Sequence, residues 1–165
     1  MHKPNEIFAR LPESVLGSLF AHLHENEKPL YKAAIRSVAD QKKLRPVFLE
    51  RKPKADQFKY IAAHLALARN STLAAQVLQI WLVGAHSNLL CAFLDGLGIA
   101  HEDNGTIEEL PEAPAKEKLI EVVSTLQKGF DPDLVKVYLH AFQSLDEAGW
   151  PTLAALLSED PSLAL

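Results

Sequence analysis

An all-α fold, a bundle of eight or nine helices, is what the sequence predicts, and three observations predict it. Leu and Ala together supply 49 of the 165 residues, against only 20 for Val, Ile and Thr, a balance that favours helices over sheet. Prolines stand repeatedly just ahead of apolar periodic stretches, where a fixed φ and a missing N–H suit the first helical turn. Apolar residues then recur at helical spacing along one stripe. A chain of this length forms one ordinary domain, 1–165, burying ~70% of its unfolded-state surface. A short armadillo-like stack of helical hairpins satisfies the same pattern, although no fixed-period signature repeats.

Taken in order, helices are expected at 12–24, 29–43 and 46–52, opened by Pro12, Pro29 and Pro46, with another at 55–68. Asn70-Ser71-Thr72 offers a cap for 72–84, and Ser87-Asn88 one for 88–97, with Gly84 to Asn88 read as the turn between them. These two helices are apolar nearly all round (Leu73, Val77, Ile80, Trp81 and Val83, then Leu89, Leu90, Phe93, Leu94 and Leu97), which assigns them to the hub. As a buried hairpin, each half has about 11 to 14 residues, short of the ~20 that cross a bilayer.

The stretch 98–114 reads as a subdomain junction. Its Asn104-Gly105, set between Ile99 and Ile107, predicts a small β-hairpin with a type I′ turn, or an ordered loop, near 99–110. Helix 115–128 carries the stripe Leu119, Ile120, Val123 and Leu126. Helix 132–147 carries Leu134, Tyr138, Ala141, Phe142 and Leu145, with Asp131 as N-cap and Pro132 at N1. Gly129 and Gly149 are expected in the left-handed region after helix ends. Pro151 opens a last helix, 151–158, with Trp150 packing back on the preceding one.

Charge is polarised along the chain. Residues 28–59 hold ten cations (Lys28, Lys32, Arg36, Lys42, Lys43, Arg45, Arg51, Lys52, Lys54 and Lys59) against three acids, a net +7. Residues 90–165 hold fourteen acids against four lysines, a net −10, and the whole chain carries −4. A clustered positive segment attracts anionic partners. Phe48, Phe58 and Tyr60 lie among the cations as stacking platforms do in single-strand binders, but a sequence pI of about 6.0 is unlike a dedicated nucleic-acid protein.

Patterns that carry chemistry are sparse. His22 and His24, two apart, point ~200° apart on a helix and share no metal. HExxH, CxxC, GxSxG, P-loop and GxGxxG spacings do not occur. Placing Gly105 at the turn of a calcium loop puts Ala100 and Pro111 where two essential carboxylates belong. Neither a metal nor a cofactor is therefore expected. Cys91, amid Leu89-Leu90-Cys91-Ala92-Phe93, reads as a small buried hydrophobe. His64 and His140 read as helix histidines, His64 satisfied by one neighbour. His86, His101 and Glu102 are what remains for a small-molecule site or an enzyme, with His101, Glu102 and Asp103 able to join Glu108 or Glu109.

The lone cysteine and the lack of an apolar leader after Met1-His2-Lys3 predict a cytoplasmic protein, in which the sequons at Asn70 and Asn104 are silent. The expected function is non-catalytic: protein interaction or self-assembly through a basic 28–59 surface and an acidic C-terminal half, without membrane binding. The surface centres on Lys43, Arg45, Arg51, Lys52 and Lys54. Nucleic-acid or polyanion binding through 28–59 is the alternative.

Overall fold

The computed structural model describes residues 2–165, which form nine α-helices and two 3-10 turns, with no strand among the described residues. The helices are α1 (Pro4–Ala9), α2 (Glu13–Asn26), α3 (Lys28–Lys42), α4 (Pro46–Glu50), α5 (Lys54–Leu65), α6 (Ser71–Leu97), α7 (Lys116–Gly129), α8 (Pro132–Gln143) and α9 (Pro151–Glu159); the 3-10 turns are Ala68–Asn70 and Pro161–Leu163. Their buried residues form one connected apolar cluster, the bundle that the periodicity predicts.

Prolines open five of these helices within the first turn. Asp131 Oδ1 accepts the Asp133 N–H at 2.8 Å, so the expected cap of α8 forms. The six-residue α1 was not expected. It closes as a capping box in which Glu6 Oε2 accepts the Lys3 N–H at 2.8 Å. It buries Ile7 and Phe8 against α5 and α6.

The two hub helices are one. Residues 71–97 run as a single helical rod, bent where His86 leaves helical geometry (φ −132°, ψ 30°). Gly84 to Asn88 therefore makes a kink in place of the expected hairpin turn. The rod has the length and composition of a membrane span, and neighbouring helices bury 44% of its most apolar window. Helices α1, α2, α5, α7 and α8 all pack against it, which makes it the central element.

Of the two forms expected near 99–110, the ordered loop is found and the β-hairpin is not. Asn104 does not enter the positive-φ region that a type I′ turn demands. Its Oδ1 instead accepts from the Thr106 N–H (3.1 Å) and hydroxyl (2.7 Å), an Asx turn. Only Gly105 (φ +80°) is left-handed there, and its N–H donates to the Glu102 carbonyl at 2.9 Å. Ile99 and Ile107 pack on the core and are not cross-strand partners.

Three further expectations change. Gly129 ends α7 without a positive φ, whereas Gly149 has φ +54°. Helix α8 stops at Gln143, so Leu145 is 62% exposed. The buried stripe of α7 is Leu119, Val122, Val123 and Leu126, with Ile120 outside. Trp150 does pack back as expected: its ring lies 4.8 Å from that of Phe142, and Nε1 donates to the Pro111 carbonyl at 2.8 Å.

Candidate functional site

Among the possible sites in the sequence, the cations of 28–59 acquire the most geometry. All ten are exposed, and none joins an ion pair among the described residues. On α3, Lys28, Lys32 and Arg36 repeat every four residues, so they line one solvent face. Helix α3 ends at Lys43, whose backbone is left-handed (φ 55°) in a position that glycine usually fills. The Leu44 N–H then donates to the Ala39 carbonyl at 2.9 Å, which closes a Schellman turn and throws the chain outward into α4. Arg45 and Arg51 cap the two ends of α4, Lys52 follows in the connection, and Lys54 begins α5.

Aromatic rings gather these charges. Lys42 and Lys52 Nζ stand 5.0 and 5.7 Å from the Tyr60 ring centre, and Lys54 Nζ stands 5.7 Å from that of Tyr31. Such contacts at exposed sites contribute about 0.5–1 kcal/mol each. Tyr31 is itself buried; its hydroxyl donates to Gln57 Oε1 at 2.6 Å, and burial pushes its pKa up to about 12. Gln57, 1% exposed, donates from Nε2 to the Glu50 carbonyl at 3.1 Å and the Lys52 carbonyl at 2.8 Å. One buried amide thus satisfies the open C-terminal end of α4 and fixes the backbone that bears Arg51 and Lys52. Sequence reasoning missed Gln57, because a single glutamine in a helix carries no pattern.

The aromatics expected as stacking platforms separate. Phe58 turns inward against Phe20 (5.8 Å) and Tyr31 (6.3 Å), and Tyr60 is covered by two lysines. Phe48, 52% exposed, faces solvent beside exposed Leu44 and Val47. These are three of the five large exposed hydrophobics among the described residues, and all sit on or beside α4 between Lys43 and Arg51. Leu49 anchors that helix at 1% exposure.

The residues kept for small-molecule or catalytic chemistry do not converge. His86 lines a cavity of about 160 Å³ with Ser14, Ser18, Trp81 and Asp131. Its ring packs edge-on to Trp81 at 4.9 Å, and its Nε2 has no hydrogen-bond partner among the described residues. No hydrogen bond links it to either serine or to Asp131, so no proton relay is assembled. His101 lies elsewhere: Nε2 donates to Asp95 Oδ1 at 2.7 Å and Nδ1 to the Glu102 carbonyl at 2.6 Å. Two acceptors on two ring nitrogens favour the imidazolium and raise its pKa, the Glu102 carbonyl contributing most. No group of three or more metal-ligating side chains occurs among the described residues. Cys91 is half-buried, and its Sγ donates to the Asp103 carbonyl at 3.4 Å, so it ties the loop to α6 and is more than inert packing.

Histidine 64 has two partners where one was expected, Ser37 Oγ and Gln41 Oε1, both at 2.6 Å, and so locks α3 to α5. Burial holds the pKa values of His64, His86 and His140 below 6.5. A folded pKa below the unfolded one gives stability that is present above 6.5 and lost as pH falls through the folded value. His101 has the opposite sign: its contribution is present below 6.5 and lost as pH rises through its elevated pKa. With His2 also lowered, chiefly by burial, four depressed histidines against one raised predict that Tm declines between about pH 7.5 and 5.5. Thermal unfolding followed by circular dichroism checks it; a Tm that stays level or rises over that range contradicts the buried-histidine account.

No protein-family model, curated protein or solved structure matches this chain.

Proposed function

We propose that this chain is a non-catalytic interaction domain that binds an acidic protein surface through the basic face of α3, α4 and α5, in the cytoplasm. One observation carries the reading: ten exposed cations, none neutralised by an ion pair among the described residues, lie on α3, α4, α5 and their connections, and exposed Leu44, Val47 and Phe48 stand in the chain between Lys43 and Arg51. Solvated lysines alone bind little, since exposed pairs contribute only ~0.2–1 kcal/mol each. A desolvated aromatic anchor ringed by guanidinium groups is the composition of an interface hot spot. Lys43, Arg45, Arg51, Lys52 and Lys54 supply steering and orientation, and Phe48 supplies buried area.

Nucleic acid is the weaker reading, because only one of its three stacking platforms, Phe48, is exposed, while Phe58 packs on Phe20 and Tyr31 and Tyr60 lies under two lysines. A labelled polyglutamate peptide, titrated by fluorescence anisotropy beside single- and double-stranded oligonucleotides, separates the two. The peptide is expected to bind with an affinity that falls steeply with salt. Arg45→Glu with Arg51→Glu is expected to weaken it at least tenfold and flatten the salt dependence. A double reversal that leaves peptide affinity unchanged refutes the proposed face, and tighter binding of an oligonucleotide than of the peptide replaces an acidic protein with nucleic acid.

A further inference from the structure

Away from α4, a groove of about 480 Å³ lies between α6, the loop 105–110 and the end of α8. Its floor is apolar, with Leu78, Leu82, Leu110 and Phe142, and Leu145 stands exposed at its edge. Glu108 and Asp146 line it, and the exposed Glu109 and Glu147 follow each of them in the chain. None of these four carboxylates joins an ion pair among the described residues. Tyr138, 3% exposed, also lines the groove, and its hydroxyl makes no hydrogen bond to another described residue.

This groove and the tip of α4 match in character: an apolar floor rimmed by acids, and an apolar knob rimmed by cations. Within one molecule they do not meet. Helix α4 is anchored on α3, which packs on α2 and α5, whereas α6 and α8 wall the groove. No ion pair joins residues 28–59 to the acids of 90–165. We infer that the groove receives Phe48 and Val47 of a second copy of this chain, with Arg45 and Arg51 beside Glu108 and Asp146. The inference rests on the proposed function and names its partner. Because the two surfaces differ, the contact is heterologous: it leaves a free knob and a free groove at the ends, so it propagates into rings or filaments.

Sedimentation of the full chain tests it. Wild type is expected to form concentration-dependent oligomers at about 50 mM salt and to dissociate at about 500 mM. Phe48→Asp removes the knob and Leu145→Lys spoils the groove; both positions are exposed, and circular dichroism verifies that each variant is folded. Each alone is expected to be monomeric, with an apparent dissociation constant raised at least tenfold. Their equimolar mixture is expected to give a closed 1:1 dimer, since one supplies an intact groove and the other an intact knob. A monomeric wild type at low salt, or a mixture that fails to pair, overturns the inference. If polyglutamate is still bound in that case, the acidic-partner reading survives; if it is not, both fall. A monomeric wild type that co-sediments with phosphatidylserine vesicles through Phe48 makes a lipid surface the partner of the α4 tip and likewise overturns self-docking.

Discussion

Replacing Trp150 with alanine is expected to destabilise the protein by about 4 kcal/mol, the middle of the range for a fully buried aromatic. The indole is 2% exposed and lies against Phe142 at 4.8 Å and Phe93 at 6.3 Å. It also supplies the hydrogen bond to the Pro111 carbonyl, at 2.8 Å, that ties the irregular segment before α7 to the start of α9. Truncation therefore removes packing and leaves a carbonyl without its donor. For a chain of this length, Tm should fall by roughly 8–16 °C. Trp150→Phe keeps much of the packing and loses the donor, so about 1–2 kcal/mol is expected for it. Urea unfolding of the three proteins orders them; equal midpoints for the alanine and phenylalanine variants would show that the ring's volume is irrelevant.

Gly105→Ala is the second large effect, at about 3 kcal/mol. The backbone there has φ +80°, which costs an alanine about 1 kcal/mol. An added methyl would overlap Leu90 Cβ and come within 3.1 Å of the Cys91 nitrogen, in the middle of α6. Neither neighbour is the free end of a flexible side chain, so the loop itself must lift, and overpacking of that kind adds about 1–3 kcal/mol. The same displacement would open the acidic groove that the loop walls. Loss of less than 1 kcal/mol in chemical denaturation would mean that the loop does not rest on α6.

Helix existence was legible because proline placement and apolar spacing are local signals. Helix α1 escaped because six residues with two buried apolar side chains are too few for periodicity; Lys3-Pro4-Asn5-Glu6 held its capping signature. Gly84, Ser87 and Asn88 favour a turn locally, so the sequence alone points to a full turn where the structure has a kink at His86. The apolar residues on both sides need burial along the same core, and that tertiary demand keeps the rod continuous. The hairpin failed for a related reason: Asn104 spends its side chain on Thr106, and the flanking isoleucines are drawn to the core.

The candidate site was half legible. Lysine and arginine density is a property of composition, so the basic segment could be read directly. Phe48, Phe58 and Tyr60 look alike in sequence, and only packing separates the exposed ring from the half-buried and the lysine-covered ones. The groove was invisible because it joins residues from 75 to 146 that no spacing rule connects.

Gln57 has a consequence for how binding is driven. By holding the Glu50 and Lys52 carbonyls and the Tyr31 hydroxyl, it freezes the α4–α5 corner before any ligand arrives. Under the proposed function, an acidic partner would meet a preorganised array and forfeit little backbone entropy on docking. Encounter should then proceed at charge-steered speed, with no slow folding step between collision and capture.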